Sequence, residues 1–338
     1  SYTFDQVFGE QYTTTEIFDQ NIKEHVQSAL NGINVTVFAY GQTSSGKTYT
    51  MRGTEDKPGL IPLTITEIFK QTGNGSESEN NWKVTCSYLE IYNETVNDLL
   101  NPENEKLEIR ESISHGVHIQ GLTNKECKDE SDMLKYLELG EKSRMTASTN
   151  LNEQSSRSHT VFRFNIETKE KKKNGVLSIR TSQLNLVDLA GSEGVSKTRA
   201  EGIRFKEGSN INKSLLALSK VIQRLSSGQK QSKLFINYRD SKLTRILQPS
   251  LGGNSKTTII CTLSQLFANY QESVKTLMFG QMAKNVKTVV NVNEVVKNKE
   301  SLELKAAKQE NEELKDKIQQ LETKLKEIGK EQESIPKS

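Results

Sequence analysis

The chain has 338 residues, 33% of them apolar, and its 46 Lys and Arg against 43 Asp and Glu leave a formal net charge of +3. That length suits one large α/β domain with an appendage, and so small a charge excludes a strongly basic nucleic-acid binder, leaving any acidic partner to a local patch. No run approaches the roughly 20 apolar residues of a bilayer span and no signal pattern opens the chain, while Cys86, Cys127 and Cys261 lie far apart without metal-ligand spacing, as in a reduced intracellular protein.

From Tyr2 to about Val286 short apolar runs alternate with helical stretches, the rhythm of a layered α/β domain. Apolar residues at three-to-four spacing predict a helix over Glu16–Leu30, and the apolar run Val35–Tyr40 predicts a strand. A polar loop, Gly73–Asn81, precedes a strand over Lys83–Tyr92, and Ser131–Leu139 again has helical spacing. Strands over Val161–Thr168 and Gln183–Leu189 flank the turn Lys171–Gly175, and Ile211–Leu225 completes the helical set. Composition changes after Asn298: residues 299–338 carry nine Lys and ten Asp or Glu and no aromatic residue. There Leu304, Asn311, Ile318 and Leu325 share one heptad position and Ala307, Leu314, Leu321 and Ile328 the other. This is the seam of a C-terminal coiled-coil helix, in which a core Asn favours an in-register parallel homodimer. A single solvated helix is the alternative.

Gly41-Gln42-Thr43-Ser44-Ser45-Gly46-Lys47-Thr48 follows a predicted strand and opens a helix, the setting in which a Walker A run binds nucleotide. Small residues let the backbone wrap phosphates, with N–H groups and a helix start facing the negative charge. Lys47 then reaches the β- and γ-phosphates of ATP, and the Thr48 hydroxyl binds Mg²⁺. Such a loop names only a superfamily, the P-loop NTPases. Leu184–Val187 leads into Asp188-Leu189-Ala190-Gly191, where the carboxylate reaches Mg²⁺, usually through water, and the glycine N–H senses the γ-phosphate. An ordinary strand ending in a turn has the same look. In Asn152-Glu153-Gln154-Ser155-Ser156-Arg157-Ser158-His159 two adjacent hydroxyls can complete the Mg²⁺ and γ-phosphate shell, and Arg157 can pair with Glu193 to close a gate.

Together these residues resemble the kinesins. Phe38–Met51 is similar to the kinesin P-loop over its whole length, Asn152–His159 to switch I and Leu186–Glu193 to switch II. Asn210–Leu215 and Tyr238–Arg245 look like the microtubule-facing helix and loop, so the resemblance runs in order from Tyr2 to about Asn293. It implies a motor domain over 1–285 with a mixed central β-sheet flanked by helices, a neck linker over 286–298 and the start of a coiled-coil stalk over 299–338. By this resemblance Ser155 and Ser156 hold the γ-phosphate, Mg²⁺ and the lytic water, Tyr49 packs beside the adenine, and Glu193 relays the water's proton and pairs with Arg157. The metal residues are then Thr48, Ser156 and Asp188.

The implied activity is microtubule-stimulated ATP hydrolysis coupled to movement, in the cytoplasm on the cytoskeleton, with no nucleic-acid or membrane partner. Lys230, Lys233, Arg239, Lys242 and Arg245 crowd a region in which Asp240 is the only acid. By itself that is a solvated charged face; by the resemblance it meets the acidic surface of tubulin. Lys287–Glu294 resembles a neck linker with Asn293 as its latch, and its place between motor and coil resembles plus-end-directed members. An ordinary interdomain connector is the alternative. Asn93–Leu100 and Ile236–Gly253 look most like centromere-associated mitotic kinesins, which implies spindle or kinetochore.

Some residues depart from the family pattern. The strand with an adenine-contacting Arg and Pro belongs upstream of Tyr2, so the chain, opening Ser-Tyr-Thr-Phe, reads as a piece of something longer whose neighbouring strands lack a partner. Gly194 and Arg199 stand where Arg and glycine are usual. A nucleotide-insensitive microtubule-binding module is the rival reading. A translational-type GTPase is more distant, since no guanine-reading Asn-Lys-x-Asp follows a strand.

Overall fold

The computed structural model describes residues 1–73, 81–112, 116–146, 156–171, 176–193, 203–227 and 235–297, with Leu314 and Ile318. Residues 152–155, Gly194, Arg199, Lys230, Lys233 and the rest of the 299–338 segment lie outside the described residues. The chain divides into two compact units, one of Ser1–Thr168 with Arg180–Glu294, the other of Lys169–Ile179 with Val295–Ser338.

At the N-terminus, the Thr13 hydroxyl accepts from the Glu16 N–H while the Glu16 carboxylate accepts from the Thr13 N–H. This reciprocal cap starts α1 (Thr14–Ile17) ahead of the apolar spacing, and a π turn (Phe18–Ile22) carries it into α2 (Lys23–Leu30). There follow β1 (Val35–Tyr40), α3 (Lys47–Met51), α4 (Leu60–Thr72), β2 (Asn81–Tyr92), β3 (Thr95–Asp98), β4 (Ile109–Ser112), β5 (Gly116–Ile119) and β6 (Lys125–Cys127). The second half holds α5 (Glu130–Thr146), β7 (Ser158–Lys171), β8 (Leu177–Asp188), α6 (Ile203–Leu225), α7 (Lys242–Ile246) and α8 (Gln248–Gly252). β9 (Lys256–Cys261), α9 (Tyr270–Lys284) and β10 (Glu294–Lys297) complete the described elements. Several expected boundaries move: β2 starts at Asn81, β7 extends past 161–168 at both ends and takes in Lys171 of the expected turn, β8 starts at Leu177 and α6 at Ile203. α5 runs on to Thr146, and β8 stops at Asp188, leaving Leu189 in the loop beyond it.

The main sheet runs β3-β2-β7-β8-β1-β9, with β10 beside β8 and β6 beside β2, while β4 and β5 form a separate hairpin. β1 is parallel to both β8 and β9, whereas β2 is antiparallel to β3 and β6, so the sheet is mixed. Every residue of β1 is buried. Val35, Val37 and Ala39 face a core shared with Ile22, Val26, Ile65 and Phe162, and Phe38 and Tyr40 face another shared with Leu218, Ile222, Leu243 and Phe279. Burial on both faces is why β1 is an unbroken apolar run instead of an alternating one. β9 ends the sheet path, with β1 its partner and none on its other side among the described strands.

The parallel register sets Ala39 beside Asp188 at the carboxyl ends of β1 and β8. In open α/β sheets that end is where ligands bind, and both sequence motifs begin there.

Candidate functional site

Beyond Tyr40 the chain turns sharply, with a φ of 62° at Ser44 and 103° at Gly46. Gly46 caps α3 in this left-handed conformation, which a residue without a Cβ adopts freely. The Ser45 hydroxyl donates to the Gln42 carbonyl at 2.7 Å and Lys47 Nζ donates to the same oxygen at 2.8 Å. Lys47 is only 6% exposed. Burial holds its pKa below the ordinary lysine range, while the charges of Asp188 and Glu193 oppose that fall. A tight glycine-bounded turn enclosing an ammonium is suited to a phosphate chain.

Thr48 Oγ1 donates to Asp188 Oδ2 at 2.6 Å. Asp188 is buried, which raises its pKa, while the Thr48 hydrogen bond and the charges of Arg144, Lys47 and Arg52 oppose the rise. Its second oxygen, Oδ1, is buried with no hydrogen-bond partner. Such an orphan is costly, and a hard cation taking oxygen ligands would satisfy it. Asp188 and Thr48 therefore fit Mg²⁺.

The switch segments close on the same loop. Gly191 N–H donates to the Ser156 carbonyl at 2.9 Å and Ser192 N–H to the Gly41 carbonyl at 3.1 Å. The Thr43 N–H donates to Glu193 Oε2 at 2.8 Å, and the Thr43 hydroxyl donates to Glu193 Oε1. At Gly191 an added Cβ would meet the Thr43 hydroxyl and the Glu193 carboxylate, so a larger residue would disturb the contact between those two side chains. Ser156 and Arg157 are half-buried, and Tyr49 is 46% exposed at the rim. Of the predicted set, Ser155 lies outside the described residues.

One organising residue was not singled out from sequence. His159 Nδ1 accepts from the Ala190 N–H at 2.9 Å, so its Nε2–H faces Ser214 Oγ, 2.7 Å away. The ring thus ties β7 to the start of the Asp188 loop and to α6, and its place at the end of the Ser-Ser-Arg-Ser-His run was the available signal. Burial first, then the charges of Lys47 and Arg144, push its pKa down to about 3. His25 falls to about 4, through burial and then Lys256, with Glu24 opposing. In the unfolded chain both imidazoles titrate near their usual ~6.5, so the unfolded state binds more protons below that pH. The stability of the neutral rings is therefore full above about pH 6.5 and is lost as pH falls toward 4 and 3. Urea unfolding at pH 5 should show about 2 kcal/mol less stability per ring than at pH 7.5; an unchanged midpoint would contradict neutral burial.

Two outlying groups complete the predicted residues. Arg239 is exposed and 3.8 Å from Glu111, whereas the Arg245 side chain is 12% exposed, bonded to Glu111 at 2.5 Å and to Gln248. Lys242 is half-buried, and its N–H donates to Glu94 Oε2 at 2.8 Å. Asn293 N–H donates to the Gly32 carbonyl at 2.8 Å, its Nδ2 donates to the same oxygen at 3.1 Å, and its Oδ1 accepts from Asn254 Nδ2 at 2.9 Å. Val289 and Asn291 N–H groups donate to Gly253 O and Asn254 Oδ1, so the segment lies along the first unit as an ordered strap.

The kinesin motor-domain family model matches residues 1–286. Kinesin-related protein 4 of Dictyostelium discoideum is 50% identical over 298 residues, covering 87% of this chain and 15% of the relative. Centromere-associated protein E of Homo sapiens is 45% identical over 338 residues, covering 98% of this chain and 12% of the relative. The chain thus spans a small fraction of these relatives' lengths. A solved fast kinesin, described with implications for ATPase mechanism and interactions with microtubules, superposes with a TM-score of 0.79 at 43% identity, over 87% of this chain and 82% of that one.

Proposed function

The chain belongs to the kinesin motor-domain family, and from that premise we propose that it hydrolyses Mg·ATP, faster on microtubules, and turns the hydrolysis into movement along them. The observation that carries the proposal is the convergence on one glycine-bounded loop of Lys47, the Thr48–Asp188 pair, Glu193 on Thr43 and Ser156 on Gly191. Phosphoryl transfer asks a protein mainly for positioning and charge stabilisation. Lys47 supplies a buried positive charge, Ser155 and Ser156 orient the γ-phosphate and water, and Glu193 takes part in moving the water's proton. Mg²⁺ at Thr48, Ser156 and Asp188 would neutralise charge building on the phosphate oxygens. Tyr49 borders the adenine, and Gly191 N–H reports the loss of the terminal phosphate.

The test is phosphate release by the purified chain with and without microtubules. Stimulated turnover is expected; microtubule binding with no turnover in either condition favours the rival binding module. Lys230, Lys233, Arg239 and Lys242 are the proposed contacts to tubulin, and Arg245, held by Glu111, is the least available of the five predicted residues. Because the Debye length shrinks from about 10 Å at 0.1 M salt to about 3 Å at 1 M, co-sedimentation should weaken steadily as salt is added. Binding indifferent to salt would remove this patch.

Residues 286–298 act in the proposal as a neck linker latched by Asn293, with movement toward the plus end, and 299–338 as the start of a parallel coiled-coil homodimer. Gliding of polarity-marked microtubules decides direction, and a purely monomeric sedimentation profile at micromolar concentration would discard the dimer. The cytoskeleton is the working location, with spindle or kinetochore following from the likeness to Centromere-associated protein E.

A further inference from the structure

Behind the nucleotide loop lies a buried charged cluster that the proposed chemistry does not use. Arg52 follows the last residue of α3, and its N–H donates to the Thr48 carbonyl at 2.8 Å, so its backbone moves with the helix bearing Lys47 and Thr48. Its Nη1 lies 2.7 Å from Oε2 of Glu141 on α5, whose side chain is 8% exposed. Oε1 of the same carboxylate accepts from the fully buried hydroxyl of Tyr88 on β2. One turn along α5, Arg144 sets its Nε 3.4 Å from Glu90 Oε1, and its Nη2 donates to Ser158 Oγ at 3.1 Å. Ser158 opens β7 directly after Ser155-Ser156-Arg157.

Buried ion pairs are poor glue, because their desolvation cost consumes the Coulomb gain and an apolar cluster of similar shape often holds a fold as well. Each carboxylate here lies at ion-pair distance from one guanidinium, while Glu141 Oε2 and Glu90 Oε1 accept no hydrogen bond, so charge and position hold the cluster. A single helix, α5, holds the end of the phosphate-loop helix through Glu141 and the exit of switch I through Arg144. We infer that Glu141 and Arg144 are positioning residues for ATP hydrolysis, a brace that fixes switch I relative to Lys47 and Thr48. The inference rests on the hydrolytic reading above. ADP lacks the γ-phosphate that switch I would grip, so a slackened brace should slow the chemical step while leaving ADP affinity nearly intact. Misplacing reacting groups by about 1 Å can cost on the order of 100-fold in rate.

The experiment compares the wild-type chain with Glu141→Gln, Arg52→Gln and the double variant, each checked by its thermal transition. Single-turnover ATP hydrolysis and the dissociation constant of a fluorescent ADP are measured. Glu141→Gln keeps the side chain's shape and an acceptor for Tyr88 but loses the charge facing Arg52. The expected result is a fall of about 10-fold or more in hydrolysis, ADP affinity within about 3-fold, and a double variant no slower than the worse single one. Hydrolysis within about 2-fold of wild type in Glu141→Gln, or hydrolysis and ADP affinity falling together, overturns the brace. Should Glu141→Gln fail to fold, Arg52→Gln decides by the same two readouts, since the Arg52 side chain is 35% exposed. A wild-type chain that never hydrolyses ATP overturns the functional reading and this inference with it, whereas active wild type beside equally active variants overturns the inference alone.

Discussion

Alanine at Lys47 is expected to lower ATP turnover, with or without microtubules, by about 10²- to 10³-fold, the loss typical when one preorganised donor is removed from a site where negative charge develops. The ammonium is buried and already bonded at 2.8 Å to the Gln42 carbonyl of its own loop. Little reorganisation is needed to turn it toward phosphate oxygens. Because burial is the leading influence on this lysine, its charge is poorly solvated and acts at close range. Arginine should not rescue it, since a planar guanidinium does not fit a space built for a compact ammonium. Steady-state phosphate release measures the effect; a Lys47→Ala chain within about 3-fold of wild type would show that the buried cation is structural only.

Glu193→Ala is the second large effect. General acid–base and positioning carboxylates are commonly worth about 10²- to 10⁴-fold. Glu193 reaches over the phosphate loop to the Thr43 N–H and hydroxyl, joining the segment after Gly191 to the loop that would hold the nucleotide. Removing it therefore takes away both the proposed proton acceptor and a tie between two elements. Turnover on microtubules should collapse while nucleotide affinity changes far less, since Lys47 and the loop remain. Hydrolysis at the unmutated rate with microtubules present would refute the assigned role. Phosphate release paired with nucleotide affinity separates this outcome from simple loss of binding.

Much of the architecture could be read along the chain because central elements carry local signatures. β1, β2, β7 and β8 are apolar or β-branched runs, and α2 and α6 bury a stripe at helical spacing. Other elements carry no such mark. β9 is half-buried throughout, with Lys256, Thr257 and Thr258 at its start. α9 buries Glu272 and Thr276 alongside Phe279 and Gly280, so no clean apolar stripe marks it. β3 to β6 are short and part-exposed, held by pairing to strands or hairpin partners that tertiary folding supplies.

The linear sequence by itself determined the phosphate loop and the acid-then-glycine turn, because each is a contiguous run whose spacing is its chemistry; of the hydroxyl pair it named, Ser155 lies outside the described residues. It also determined the family, through the order of those runs. Only the tertiary structure decided that Glu193 rests on Thr43, that His159 joins Ala190 to Ser214, and that Arg245 is largely spent on Glu111. It alone revealed the pairing of half-buried Arg52 with buried Glu141. The physical reason is that these partners are far apart along the chain, and a parallel sheet brings strand ends together by register, which no local pattern encodes.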